Sequence, residues 1–206
     1  MITTLDWPDD ELDHAERSFV GNIRQHGWLR TAAIAEEGKP GFSFTTGFAL
    51  STGQPELIIF STDGEVVHEM FWVLFRRAKS GRPLPIGKRT ADVFSNLPAY
   101  AFLVAKRHHA NYLGWSRWFY RGDEFGCLQI VWPDRAGLFP WERGFDEVFA
   151  SDQVDLSERG SLARFDVVDE VVLRAITATG AVEQLVALID AGAPGAVTDP
   201  GTTRSS

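Results

Sequence analysis

Two short stretches use a proline to pin an aromatic ring beside charge: Trp132-Pro133-Asp134-Arg135 and Phe139-Pro140-Trp141-Glu142. In the first, Pro133 fixes a turn and Asp134 is of the type that bonds backbone amides beyond it. Arg135 carries a planar guanidinium, the side chain best shaped to grip a carboxylate or phosphate through two parallel hydrogen bonds. In the second, Glu142 supplies an acceptor of the kind that a buried indole N–H, such as that of Trp141, needs. A third stretch, Phe42–Leu50 (FSFTTGFAL), alternates if it is extended. Phe42, Phe44, Thr46 and Phe48 then share one side, and the small Ser43, Thr45, Gly47 and Ala49 share the other. That second side leaves room for something. Aromatic walls, an arginine and a hydroxylated face together suit a flat anionic ligand. None of them is an acid–base machine.

The aromatic supply is concentrated. Four of the seven tryptophans, Trp115, Trp118, Trp132 and Trp141, fall between residues 112 and 145, with Tyr112 and Tyr120 among them. This region is therefore core, pocket lining, or both. His26 and Trp28, between a helix end and a strand head, are candidates for the pocket wall. Charge is polarised in the same direction. From Arg76 to Arg121 there are ten Lys or Arg against the single Asp92, although the chain carries a net charge of -8. A local positive field in an acidic protein concentrates anionic ligands. The overall acidity argues against a nucleic-acid partner.

Several classes are excluded by what is missing. There is no GxGxxG, Walker A, HExxH or GxSxG, which weighs against the common dinucleotide, NTPase, zinc-protease and α/β-hydrolase readings. The five histidines show no ligand spacing and no metal is expected. One cysteine, Cys127, allows no internal disulfide and fits a reducing compartment, where it reads as a small buried hydrophobe. The acidic beginning DWPDDELDHAE is unlike a signal peptide, and no run approaches the roughly 20 apolar residues of a membrane span. The expectation is a cytoplasmic protein with no membrane association.

The elements that must position these residues follow from periodicity. A helix is expected over 9–25, capped by Asp9 or Asp10, then strands over 28–35, 42–50 and 55–61. The strongest helix is 64–81, followed by strands at 99–107 and 126–132 and a proline- and glycine-broken loop over 133–145. Helix and strand do not alternate evenly, which points to α+β with a curved, mostly antiparallel sheet and flanking helices. Composition changes near 150. A main domain over 1–150 is expected, with a small strand and helical extension over 151–192 and a disordered tail over 193–206.

The blocks HGW (26–28), FSFTTGFAL, GQPELIIF (53–60), YLGWSRWFYRG (112–122) and LQIVWPDRAGLFPWERGF (128–145) resemble an uncharacterised bacterial family of unknown function, abundant in actinobacteria, over roughly residues 9–150. That resemblance carries no activity with it. A second likeness is to the opening of flavin-reductase-like split barrels, in which a small, hydroxylated strand and its turn meet the cofactor. It implies a split-barrel-like sheet, a flavin as cofactor, and Ser43, Thr45, Thr46 and Gly47 at the cofactor, with the aromatic region shielding its ring. The full binding set is then those four with Trp115, Trp132 and Arg135; His26, Trp28, Tyr120, Asp134, Trp141 and Glu142 complete the pocket. The leading expectation is a small-molecule-binding domain for an anionic or aromatic ligand, in its sharpest form a flavin- or nucleotide-dependent oxidoreductase. The alternative is a non-enzymatic module that docks a protein partner, or a second copy of itself, through residues 112–145.

Overall fold

The structure is a computed structural model that describes residues 2–158 and 160–162. The part of the expected 151–192 extension beyond Leu162, and the tail expected over 193–206, lie outside the described residues.

The first helix, α1, spans His14–His26. Its start is set by Asp13, whose carboxylate accepts the Glu16 N–H while the Glu16 carboxylate accepts the Asp13 N–H, at 2.8 and 2.9 Å. This reciprocal cap outcompetes the expected start at Asp9 or Asp10. Asp9–Glu11 instead form a short 3-10 turn, and Asp9 pairs with Arg24. The helix stops at Gly27, at φ 84°, where a residue without Cβ is needed to close the last turn.

Leu29–Ala33 (β1), Phe42–Thr46 (β2), Glu56–Phe60 (β3), Tyr100–Leu103 (β4) and Cys127–Val131 (β5) make one sheet of order β1-β2-β3-β5-β4. The pairs β1/β2, β2/β3 and β4/β5 are antiparallel, whereas β3 and β5 run parallel with Glu56 opposite Cys127 and Ile59 opposite Ile130. The expected curved, mostly antiparallel, split-barrel-like sheet is therefore wrong. The sheet is mixed, and β1 and β4 remain its two open edges, whereas a barrel must pair its edges to close. The physical reason lies in ELIIF and CLQIV, which are buried at every position. Strands buried on both faces need helices on both faces, and a parallel neighbour needs a long crossover. The helix α3, Gly64–Lys79, leads that crossover.

Alternation then sorts the core. Leu57, Ile59, Leu128 and Ile130 face α3, through Val67, Met70, Phe71, Leu74 and Phe75. Ile58, Phe60 and Cys127 face the other way, against Phe19 and Ile23 of α1 and Phe119 and Tyr120 of α5 (Gly114–Tyr120). Each such aliphatic or aromatic burial is worth about 1.5–3 kcal/mol. A third cluster, Phe102, Val131, Phe139, Trp141 and Leu162, lies by β4.

The strand expected over 42–50 is cut short. Gly47, at φ 108°, ends β2 and opens α2, Phe48–Thr52. Phe48 consequently packs against Trp28 and α3, on the opposite side of the sheet from Phe44. A Cβ at Gly47 would lie 2.7 Å from Gly27 O and 2.9 Å from the Cα of Trp28. The close crossing of the two backbones thus leaves room for glycine alone.

Candidate functional site

The β1–β2 hairpin overhangs the C-terminal end of β3 and encloses a polar cleft of ≈ 530 Å³. The volume falls in the range of small-molecule sites. At this end of the sheet Trp132, which follows β5, donates its indole N–H to Phe60 O at 3.0 Å and ties the ends of the parallel pair together, while the cleft lies on the hairpin side of β3. Arg30 of β1, Ser43 of β2, and Ser61, Thr62 and Gly64 at the β3–α3 junction line it, with Glu36 and Lys39 from the hairpin and Asp152.

Arg30 holds the position that matters electrostatically. Its guanidinium donates to Ser43 Oγ at 3.2 Å, and Ser43 is only 6% exposed, so the contact is anchored from the sheet. A Cβ on Gly64 would lie 3.2 Å from Arg30 Nη1, so the guanidinium reaches over the first turn of α3. Among the described residues Arg30 has no carboxylate partner. The helix terminus adds little of its own. Asp63 caps it by accepting the N–H groups of Glu65 and Val66. The unspent positive charge in the cleft is therefore Arg30, with Lys39 nearer the rim.

Of the residues singled out from sequence, Ser43 lines this cleft. Four others meet elsewhere, around a carboxylate that sequence reasoning missed. Glu56 is fully buried at the start of β3. Its Oε2 accepts from Thr45 Oγ1 at 2.6 Å and from the Phe48 N–H at 3.3 Å. Its Oε1 accepts from the N–H groups of Gly47 and Ala49, each at 3.0 Å, and from the Tyr120 hydroxyl in a very short contact. Thr45 Oγ1 in turn accepts the Leu57 N–H, and Thr46 Oγ1 shares a 2.6 Å hydrogen bond with Ser116 on α5. Thr45, Thr46, Gly47 and Tyr120 thus bind the β2–α2 turn to β3 and α5. Burial raises the pKa of Glu56 against the opposing pull of its hydrogen-bond donors, and burial together with Glu56 raises that of Tyr120.

The remaining candidates are dispersed. Trp115 stacks on Phe19 at 4.7 Å, and Trp132 meets Phe149 edge-on. Arg135 lies over the ring of Phe149. Asp134 organises the loop after β5: Oδ1 accepts the N–H groups of Ala136 and Leu138, and Oδ2 that of Asp146. Burial opposes its charge, but these amides outweigh burial and hold its pKa below the ordinary carboxylate value. Trp141, 5% exposed, stacks on Phe139 beneath Tyr100, and Glu142 accepts the Phe139 N–H. Trp28 is buried with no partner for its indole N–H among the described residues, and His26 meets Trp72 edge-on. Arg30 and Glu56 were both legible as lone charges in apolar strands, in WLRTAAIA and PELIIF. A charge kept in a buried run, as Glu56 is in ELIIF, has a specific partner or a specific task, whereas β1 is half-buried along most of its length and Arg30 sits at the sheet edge.

Among the described residues no helix is long and apolar enough to cross a membrane, and no cluster of His, Cys, Asp and Glu could hold a metal ion. An open mixed sheet with helices on both faces defines a small α+β domain, with a cleft between the β1–β2 hairpin and the end of β3. The chain belongs to the family described as "Domain of unknown function (DUF4262)", which matches residues 22–146. No curated protein and no solved structure matches it.

Proposed function

We propose that this domain binds a small anionic molecule in the cleft beneath the β1–β2 hairpin, with Arg30 as the group that holds the negative charge. The observation that carries the reading is the half-buried Arg30 guanidinium, anchored by a buried serine and left without a carboxylate partner among the described residues. Open α/β sheets recruit ligands outside the carboxyl ends of their strands, and Ser61 and Thr62 stand just beyond the end of β3. A flavin or nucleotide would use the same site through its phosphate, and an oxidoreductase is the sharpest form of the proposal. Such a cofactor carries the redox chemistry while the protein supplies grip and orientation. We read the protein as bacterial, a reading that rests on the family resemblance of its motifs, and as cytoplasmic, a reading supported by its single thiol.

Calorimetric titration with inorganic phosphate, acetate and flavin mononucleotide tests the proposal. Binding of at least one is expected, weakening as salt rises, and lost in Arg30→Ala. That substitution should cost about 1 kcal/mol, the one hydrogen bond to Ser43 Oγ, and leave the fold intact. Unchanged binding in Arg30→Ala would refute the assignment. The protein-docking alternative draws less support, because Phe139 and Trp141, the rings that would project from the FPWE corner, are buried.

A further inference from the structure

The cleft is not uniformly positive. Glu36 and Asp152 line it along with Arg30 and Lys39, and none of the four is ion-paired among the described residues. Asp152 differs from the acidic residues around it. Asp63, Asp134, Asp146 and Asp155 each spend a carboxylate on backbone N–H groups. Asp152 ends the 3-10 turn Glu147–Asp152, is half-buried, and accepts no hydrogen bond among the described residues. Arg30 and Asp152 therefore share one recess without reaching each other.

A bare phosphate or carboxylate on Arg30 would leave Asp152 facing a like charge. A ligand that carries both signs satisfies both walls. Resting on the anion-binding reading above, we infer that the cleft takes a zwitterionic amino-carboxylate, an amino acid or short peptide. Its carboxylate lies on Arg30 and its ammonium on Asp152, with Glu36 adding to the negative side. The forked guanidinium matches a planar carboxylate, since one N–H is engaged by Ser43 and the others have no acceptor among the described residues. An ammonium needs several acceptors, and Thr62, whose hydroxyl proton is spent on Phe60 O, keeps its lone pairs available. The ≈ 530 Å³ volume leaves space for a side chain against Phe42 and Pro40.

The test is saturation-transfer NMR and calorimetry on the full chain with L-leucine, L-serine and L-phenylalanine, each against its deaminated acid (4-methylpentanoate, 3-hydroxypropanoate and 3-phenylpropanoate). At least one amino acid should bind about tenfold or more tightly than its deaminated partner. That preference should vanish in Asp152→Asn, and all binding should be lost in Arg30→Ala. Circular dichroism of both variants should match the parent. If the deaminated acids or phosphate bind the parent protein as well as the amino acids do, or the amino-acid preference survives in Asp152→Asn, the zwitterion is overturned and the anion site stands. If neither acids, phosphate nor amino acids bind the parent protein, both fall.

Discussion

Glu56 shows how a single side chain can hold a local structure in place. Both carboxylate oxygens are occupied by donors: backbone N–H groups on each, with the Thr45 and Tyr120 hydroxyls. In Glu56→Gln, either orientation of the amide turns an NH₂ toward a backbone N–H. The expected cost is about 3 kcal/mol in urea denaturation, because buried donors lose their acceptor. Tyr120→Phe should cost less, since the carboxylate keeps its backbone partners. The pH dependence has a definite sign. Burial raises the folded-state pKa of Glu56 above its unfolded value of about 4.3. Its stabilising contribution is thus fully present below that unfolded value and is lost as pH rises through the folded one. The parent protein should lose stability relative to Glu56→Gln over that interval. A difference that is flat with pH would show that folding does not shift the Glu56 pKa, and one that rises with pH would show that the shift is downward.

At the scale of elements, the junction between β2 and α2 decides where the residues of FSFTTGFAL go. Gly47 is at φ 108° and within contact of the Gly27–Trp28 backbone, so the turn cannot be made by another residue without displacing that crossing. Gly47→Ala should cost about 2–4 kcal/mol, from positive-φ strain and the forced separation of the two backbones. Gly53→Ala, also at positive φ but with open space around its Cβ, should cost less. Thermal melts of the two variants compare them, and equal losses would mean that the crossing is not a constraint. The same turn delivers the amides of Gly47 and Ala49 to Glu56, which is why a short helix replaces the last residues of an expected strand.

At the scale of the molecule, the described chain after residue 150 returns to the sheet. Gln129, buried on β5, donates to Val154 O at 2.6 Å and accepts the Leu156 N–H at 2.9 Å. Gln153 does the converse for Trp132, giving its amide to Trp132 O and taking the Trp132 N–H. Leu156 is fully buried in the cluster beneath α1 and α5. These two glutamines fasten the segment to an open sheet much as an extra strand would. Gln129→Leu keeps the volume but leaves a buried carbonyl and amide without partners, an expected loss of about 2 kcal/mol. Hydrogen exchange should then accelerate over 154–157 while α3 keeps its protection. Unchanged exchange there would show that the segment is held without Gln129, by the burial of Leu156 and the bond from the Ala105 N–H to Leu156 O.

Local pattern determined much of this protein. The 3.6-residue spacing of Val67, Met70, Phe71, Leu74 and Phe75 gave α3, and the apolar run of PELIIF gave β3, because burial on a face or on two faces leaves a period that a sequence carries openly. The Asp134 turn was legible for the same reason, since its partners are two, four and twelve residues away. What tertiary structure alone decided was which neighbours are distant. The parallel pairing of β3 with β5 joins residues some seventy positions apart, and no local period records its direction. Arg30 and Asp152 share a cleft only because a hairpin overhangs the end of one strand. Trp115, Trp132 and Trp141 lie close in sequence yet belong to different clusters, because α5, the end of β5 and the following loop pack against different parts of the sheet. Sequence spacing measures distance along a chain, whereas a site is made by distance through space.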